Sequence, residues 1–186
     1  MHDGHATIML GAAGSGKSTL AMGLDRLGYN VVSDDICAIV FNNAGTPCLL
    51  PSYPAAKLGE KALTFFKEQF DMQQLKRSVR EKLFVPFCNT EASKQAIPLK
   101  AVYGLEFNRH LSIRRRPQKH LLIKLLKNTH RKAIMQVMMG KRKHFNYCSM
   151  VAQSAEYYAF NRPQELNRFS ESLHTLTSHI KEEQAH

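Results

Sequence analysis

The chain has 186 residues, 44% of them hydrophobic and 22% charged, with a formal net charge of +11. Such a length buries one good core and predicts a single domain over 1–186; no run is apolar enough to span a bilayer and no signal-peptide pattern is present, so a cytoplasmic protein with no membrane partner is expected. Cys37, Cys48, Cys88 and Cys148 stand far apart without a C-x-x-C pair, which argues against a zinc site or a disulfide framework and makes buried small hydrophobes the expectation.

The first predicted element is a strand over "ATIML", residues 6–10. It runs into "GAAGSGKS", which fills G-x-x-x-x-G-K-[ST] from Gly11 through Ala12, Ala13, Gly14, Ser15, Gly16 and Lys17 to Ser18. A helix follows, with Leu20, Leu24 and Leu27 at helical spacing and Gly28 just past its end. Strand, glycine-rich loop and helix together form a phosphate cradle: backbone amides turn toward one point, the helix start adds partial positive charge, and Lys17 adds a full one. The expected ligand is ATP with Mg2+, Ser18 offering its hydroxyl to the metal and Thr19 serving an inner phosphate.

Next comes "YNVVSDDICAIVF", β-branched and apolar apart from Ser33, Asp34 and Asp35, which reads as a strand. A right-handed crossover from the first strand would bring both aspartates to the carboxyl edge of a parallel sheet, beside the loop. Strand side chains alternate, so the two should differ in role, one aiding the metal and one acting as general base. Lys17, Asp34 and Asp35 are the catalytic candidates, and Ser18 with Asp35 the expected metal pair; which aspartate is the base stays open.

The chain then continues as two β-rich pieces around Asn42, Asn43, Ala44 and Gly45, a hairpin, and Pro54 is expected to open a helix bearing Leu58, Leu63 and Phe66. The series "GAAGSGKST", "GYNVVSDD", hairpin, "PSYPAAKL" resembles the carboxyl-terminal catalytic domain of HPr kinase/phosphorylase and its short stand-alone relatives, including the kinases found with lasso-peptide biosynthesis. The resemblance continues weakly through "REKLFVPF", "IPLKAVYGLEF" and the helical tail. It implies an α/β fold, a mixed sheet flanked by helices of the P-loop, PEP carboxykinase-like kind. It also implies transfer of phosphate from ATP to a serine hydroxyl, with the loop from Gly11 to Thr19 on the nucleotide and an aspartate at position 34 or 35 as base. The family's glycine-rich signature and its later arginine-bearing loop are not found.

The remaining elements are strands at "KLFVPF", "IPLKAVYGLEF" and "LSIRRR", and a helix "PQKHLLIKLLKNTH" with an apolar face of Leu121, Leu122, Leu125 and Leu126. Helices at "AIMQVMM" and "HFNYCSMVAQ", a late strand "AEYYAF" and a closing amphipathic helix complete the chain. Met135, Met138, Met139 and Met150 are expected in the core. Residues through 60 hold three basic against five acidic side chains, net −2, whereas the remainder is +13. Arg80, Lys82, Arg109 and Arg114 to Arg116 are candidate phosphate cations, Lys82 first among them. The basic part suits an acidic protein or peptide partner carrying the acceptor serine; nucleic acid is favoured by charge alone, no RNP-type signature being present, and self-association is left open. A small metabolite hydroxyl is the alternative acceptor.

Overall fold

The computed structural model describes residues 4–53, 55–66, 76–77, 83–88 and 95–184. A six-stranded mixed sheet is flanked by helices, and the anchor of that sheet is its longest strand. In chain order the elements are β1 (Ala6–Leu10), α1 (Lys17–Arg26), β2 (Ala38–Phe41), β3 (Pro47–Leu50), β4 (Ala55–Leu58), α2 (Glu60–Phe66), β5 (Lys76–Arg77), β6 (Leu83–Pro86) and β7 (Ile97–Phe107). There follow β8 (Ser112–Arg115), α3 (Gln118–Asn128), α4 (Lys132–Met139), α5 (Lys141–Ser154), β9 (Glu156–Arg162) and α6 (Phe169–Gln184). β7 pairs in parallel with both β1 and β9, β8 closes the β9 edge antiparallel, and the β2–β3 hairpin joins the first residues of β7; β4, β6 and β5 form a separate small sheet.

β7 also changes face along its length. Ala6 pairs with Leu99 but Thr7 pairs with Ala101, so one extra residue, Lys100, is inserted opposite β1. A single inserted residue shifts the in–out alternation by one. Ile97, Leu99 and, beyond the bulge, Val102 consequently all pack with Leu121, Val151 and Ala152 of α3 and α5. Ala101, Tyr103 and Leu105 pack with Leu20 and Leu24 of α1 and Leu173, Leu176 and Ile180 of α6. Lys100, next to Leu99, faces α6, where its Nζ donates to the Glu183 carbonyl at 2.6 Å.

α1 and α6 approach closely because Gly23 has no side chain: a Cβ there would stand 2.8 Å from Phe169. On the same face Tyr103 Oη meets His179 Nδ1 at 2.8 Å and the Tyr158 hydroxyl donates to Glu183, fixing α6 to the centre of the sheet. Burial drives both phenols upward in pKa, so they remain neutral hydrogen-bonding groups.

Three expectations are corrected. Residues 29–37 form no strand; β2 begins only at Ala38, because Asp35 takes a left-handed φ of 72° and the Ile36 amide turns back to the Asp34 carbonyl at 2.9 Å. Leu58 lies on strand β4, not on a helix, and α2 starts at Glu60; Pro54 lies outside the described residues. Of the cysteines only Cys48 is buried, Cys148 is half-buried, and Cys37 and Cys88 are exposed. The hairpin forms as expected, its turn held by Asn42, whose side-chain oxygen accepts from the amides of Ala44 and Thr46.

Leu121 is fully buried between α3 and the sheet, whereas Val137 on α4 is 87% exposed. Leu121→Ala should therefore lower unfolding free energy by about 2–5 kcal/mol, read as a lower urea midpoint at unchanged slope, while Val137→Ala should change it by less than about 0.5 kcal/mol.

Candidate active site

The loop from Gly11 to Ser18 leaves β1 at the carboxyl ends of the three parallel strands. Its turn is closed by the Ser15 amide on the Ala12 carbonyl at 3.1 Å, and the Leu20 amide on Gly16 at 2.9 Å begins α1. Gly16 caps that helix with φ 80° and ψ 22°, a left-handed conformation. Glycine is required there for a second reason, since a Cβ would stand 2.0 Å from the Arg162 guanidinium.

Lys17 curls over its own loop, its Nζ donating to the carbonyls of Gly11 and Ala12, each at 2.9 Å. Carbonyl oxygens are weak partners for an ammonium compared with an anion. The Ser18 hydroxyl donates to both oxygens of Asp34 at 3.0–3.1 Å, and Asp34 also accepts the backbone amide of Lys57 at 3.0 Å. Two stretches 16 residues apart thus meet at one point. Ser18 was expected to share a metal with Asp35, but the aspartate it touches is Asp34. Asp35 turns outward to Lys57, with Nζ at 2.9 Å and its side chain 59% exposed. The left-handed backbone at Asp35 is what separates the two carboxylates.

Arg162, at the end of β9, escaped the sequence reading. It is only 5% exposed; its Nη2 donates to the Ser15 carbonyl at 2.7 Å and its guanidinium lies 4.8 Å from the Phe107 ring centre. No carboxylate among the described residues pairs with it, and its Nε has no hydrogen-bond partner there. Burial lowers its pKa, yet a guanidinium starts so high that it stays charged. The buried Ser15 hydroxyl beside it also has no partner. A buried cation without a counter-charge is costly, and an anion seated on the loop would relieve that cost. The sequence signal was slight: Asn161 and Arg162 follow the apolar run 157–160 just before Pro163.

Of the cations expected from sequence, Arg109 lies just past the carboxyl end of β7, next to Asn108, whose amide donates to the Arg162 carbonyl at 2.9 Å. Arg114 and Arg115 sit on β8 opposite Ala159 and Tyr158, toward the amino end of β9, and Arg115 is committed to Glu156. Lys82 and Arg80 lie outside the described residues. Beside the site, a cavity of about 110 Å³ opens along the β1 edge that β7 leaves free; Thr7, Lys17, Tyr29, Ser33, Asp34 and Asp35 help to line it. Among the described residues no three His, Cys, Asp or Glu side chains cluster as a metal site. A magnesium ion here would rest on Ser18, Asp34 and oxygens of a bound phosphate, which is how this ion is commonly held.

No family model, no curated protein and no solved structure matches the chain.

An anion-binding role for Arg162 has a measurable consequence. Arg162→Met should weaken pyrophosphate binding by about tenfold or more in calorimetric titration, while the thermal midpoint stays close to that of the parent because a desolvated charge is removed along with its hydrogen bond.

Proposed function

We propose that the protein is an ATP- and Mg2+-dependent kinase of the P-loop, PEP carboxykinase-like kind that phosphorylates a serine hydroxyl of a peptide or protein, as the resemblance to HPr kinase/phosphorylase implies. The observation that carries the reading is the hydrogen bond from Ser18 to Asp34. It joins the glycine-rich loop to the aspartate pair at the carboxyl edge, where a nucleotide's outer phosphates and an acceptor must meet. The residues present fit that ligand: Lys17 reaches over the loop to the carbonyls of Gly11 and Ala12, and the Arg162 Nε and the Ser15 hydroxyl are buried beside the loop with no hydrogen-bond partner among the described residues.

Loop amides and Lys17 hold the phosphates, and Arg162 fixes the loop from below. Ser18 and Asp34 would hold magnesium, which would supply charge neutralisation at the transferring group. Asp35 stands nearer solvent as the general base that takes the acceptor proton, with Lys57 orienting its carboxylate. This division assigns the base role to Asp35 and the metal role to Asp34.

Exposure of Asp35 favours a macromolecular acceptor, because a chain lying across an open edge can reach it without a closing lid. The exposed Tyr53 lies near this opening, its ring meeting Phe84, over which the Lys57 ammonium stands at 5.5 Å. A small alcohol remains the second reading, supported by the cavity against Lys17 and Asp34.

Single-turnover transfer from labelled ATP tests the assignment. Lys17→Ala should reduce transfer by about 10²-fold or more with an unchanged circular dichroism spectrum. Asp34→Asn should raise the magnesium concentration needed for half-maximal rate, and Asp35→Asn should keep nucleotide affinity and abolish transfer. Equal, mild losses from the two aspartate changes would remove both from the chemistry. Label appearing in a sugar or other small alcohol, and in no peptide of a matched lysate, would establish the metabolite reading instead.

A further inference from the structure

From Phe107 to Ala155 the sequence holds twelve lysines and arginines and no aspartate or glutamate. This run builds β8, α3, α4 and α5. Within it α4 is anomalous, because none of its eight residues is buried. Val137 is 87% and Met138 78% exposed, and Ile134 is half exposed; the spacing 134, 137, 138 sets the three on one side of the helix. The core placement expected for the methionines fails: Met138 and Met150 are exposed, and Met135 and Met139 are half-buried and belong to neither core cluster. Exposed Arg131 and Lys132 stand at one end of α4, and exposed Lys141, Arg142 and Lys143 at the other.

The layer's path locates this tip. α3 starts at the amino end of β9, where the Arg116 amide donates to Tyr157 at 2.8 Å and the Gln118 side chain to the Gln153 carbonyl at 3.1 Å. By Lys124 it has reached Glu106, next to the carboxyl end of β7, at 2.6 Å. α5 returns in the opposite sense, tied to the end of α3 by the 2.9 Å contact of Thr129 with His144. α4, which links them, therefore lies toward the carboxyl edge of the sheet, the edge that also carries the glycine-rich loop.

We propose that α4 and its flanking cations form a docking surface for an anionic phospholipid bilayer. Apolar side chains on a protrusion, bracketed by lysine and arginine, match an interface that is hydrocarbon in depth and negatively charged at its surface. Nucleic acid would use the cations and leave Ile134, Val137 and Met138 in water. An acidic protein segment would seek a cleft, and a helix with no buried residue offers none. Lying on a membrane needs no spanning segment, so the lack of a long apolar helix among the described residues does not bear on it. Such docking departs from the expectation of no membrane partner.

Sedimentation of the full chain with vesicles decides the matter without reference to nucleotide or phosphate transfer. Vesicles of phosphatidylcholine with about 30% phosphatidylserine should carry the protein down, phosphatidylcholine alone should not, and added salt should weaken the binding. The double change Val137→Asp and Met138→Asp should reduce binding by about tenfold or more at an unchanged thermal midpoint, since both side chains face water. Lys141→Glu with Arg142→Glu should do the same. The proposal is overturned if anionic vesicles fail to sediment the protein or if the aspartate pair binds them as well as the parent. Binding to polyglutamate or RNA in place of vesicles overturns it too, and assigns the surface to an acidic partner or to nucleic acid.

Discussion

A guanidinium buried with no carboxylate partner among the described residues is the constraint around which the site is arranged. Arg162 reaches the loop only because β9 runs parallel beside β7, with Phe107 and Arg162 paired in register at their ends. Its hydrogen bond to Ser15 fixes the outer part of the loop, and its bulk restricts position 16 to glycine. The loop in turn starts α1 and so sets where Ser18 emerges to meet Asp34. The loop is thus tied to β9 through one side chain, and an anion seated on the loop would offset the desolvation of its charge.

Separation of the two aspartates follows from backbone geometry more than from strand alternation. In a strand, adjacent side chains point to opposite faces of the sheet, one of them inward. Here the left-handed turn at Asp35 leaves Asp34 facing the loop, half-buried and bonded to a hydroxyl and an amide, while Asp35 swings into solvent against Lys57. A non-glycine residue in this conformation is uncommon, and such strain tends to persist where surrounding contacts over-determine it. Lys57, held on β4 opposite Phe84, supplies two of those contacts, one from its amide and one from its ammonium.

What could be read from the sequence was whatever depends on local pattern. The apolar, β-rich run 97–107 marked β7, helical patterning marked α3, α5 and α6, and the Asn42 to Gly45 turn marked the hairpin. The glycine-rich loop was legible because its spacing is itself the geometry. The stretch 29–37 was misread since β-branched residues there promised a strand, whereas Ser33 and Asp34 tie its polar groups to Ile36, Ser18 and Lys57. Arg162 was illegible for a different reason: its role arises from a strand more than 140 residues from the loop, and one charged residue at a strand end carries no such information. The methionines of α4 show a further limit, as periodicity identifies an apolar side of a helix but not what lies against it.

Charge is divided between the two faces of the sheet. α3, α4 and α5, on one face, come from a stretch without a single carboxylate, while α1 and α6, on the other, mix signs and include Asp25, Glu171 and Glu183. The molecule is consequently an electric dipole as well as a cation. Within a Debye length of any negatively charged boundary, about 8 Å at physiological ionic strength, the field exerts a torque that turns the basic layer forward before contact is made. Encounters are then oriented on approach, and what a first collision presents to such a boundary is set by the asymmetry of the fold rather than by chance.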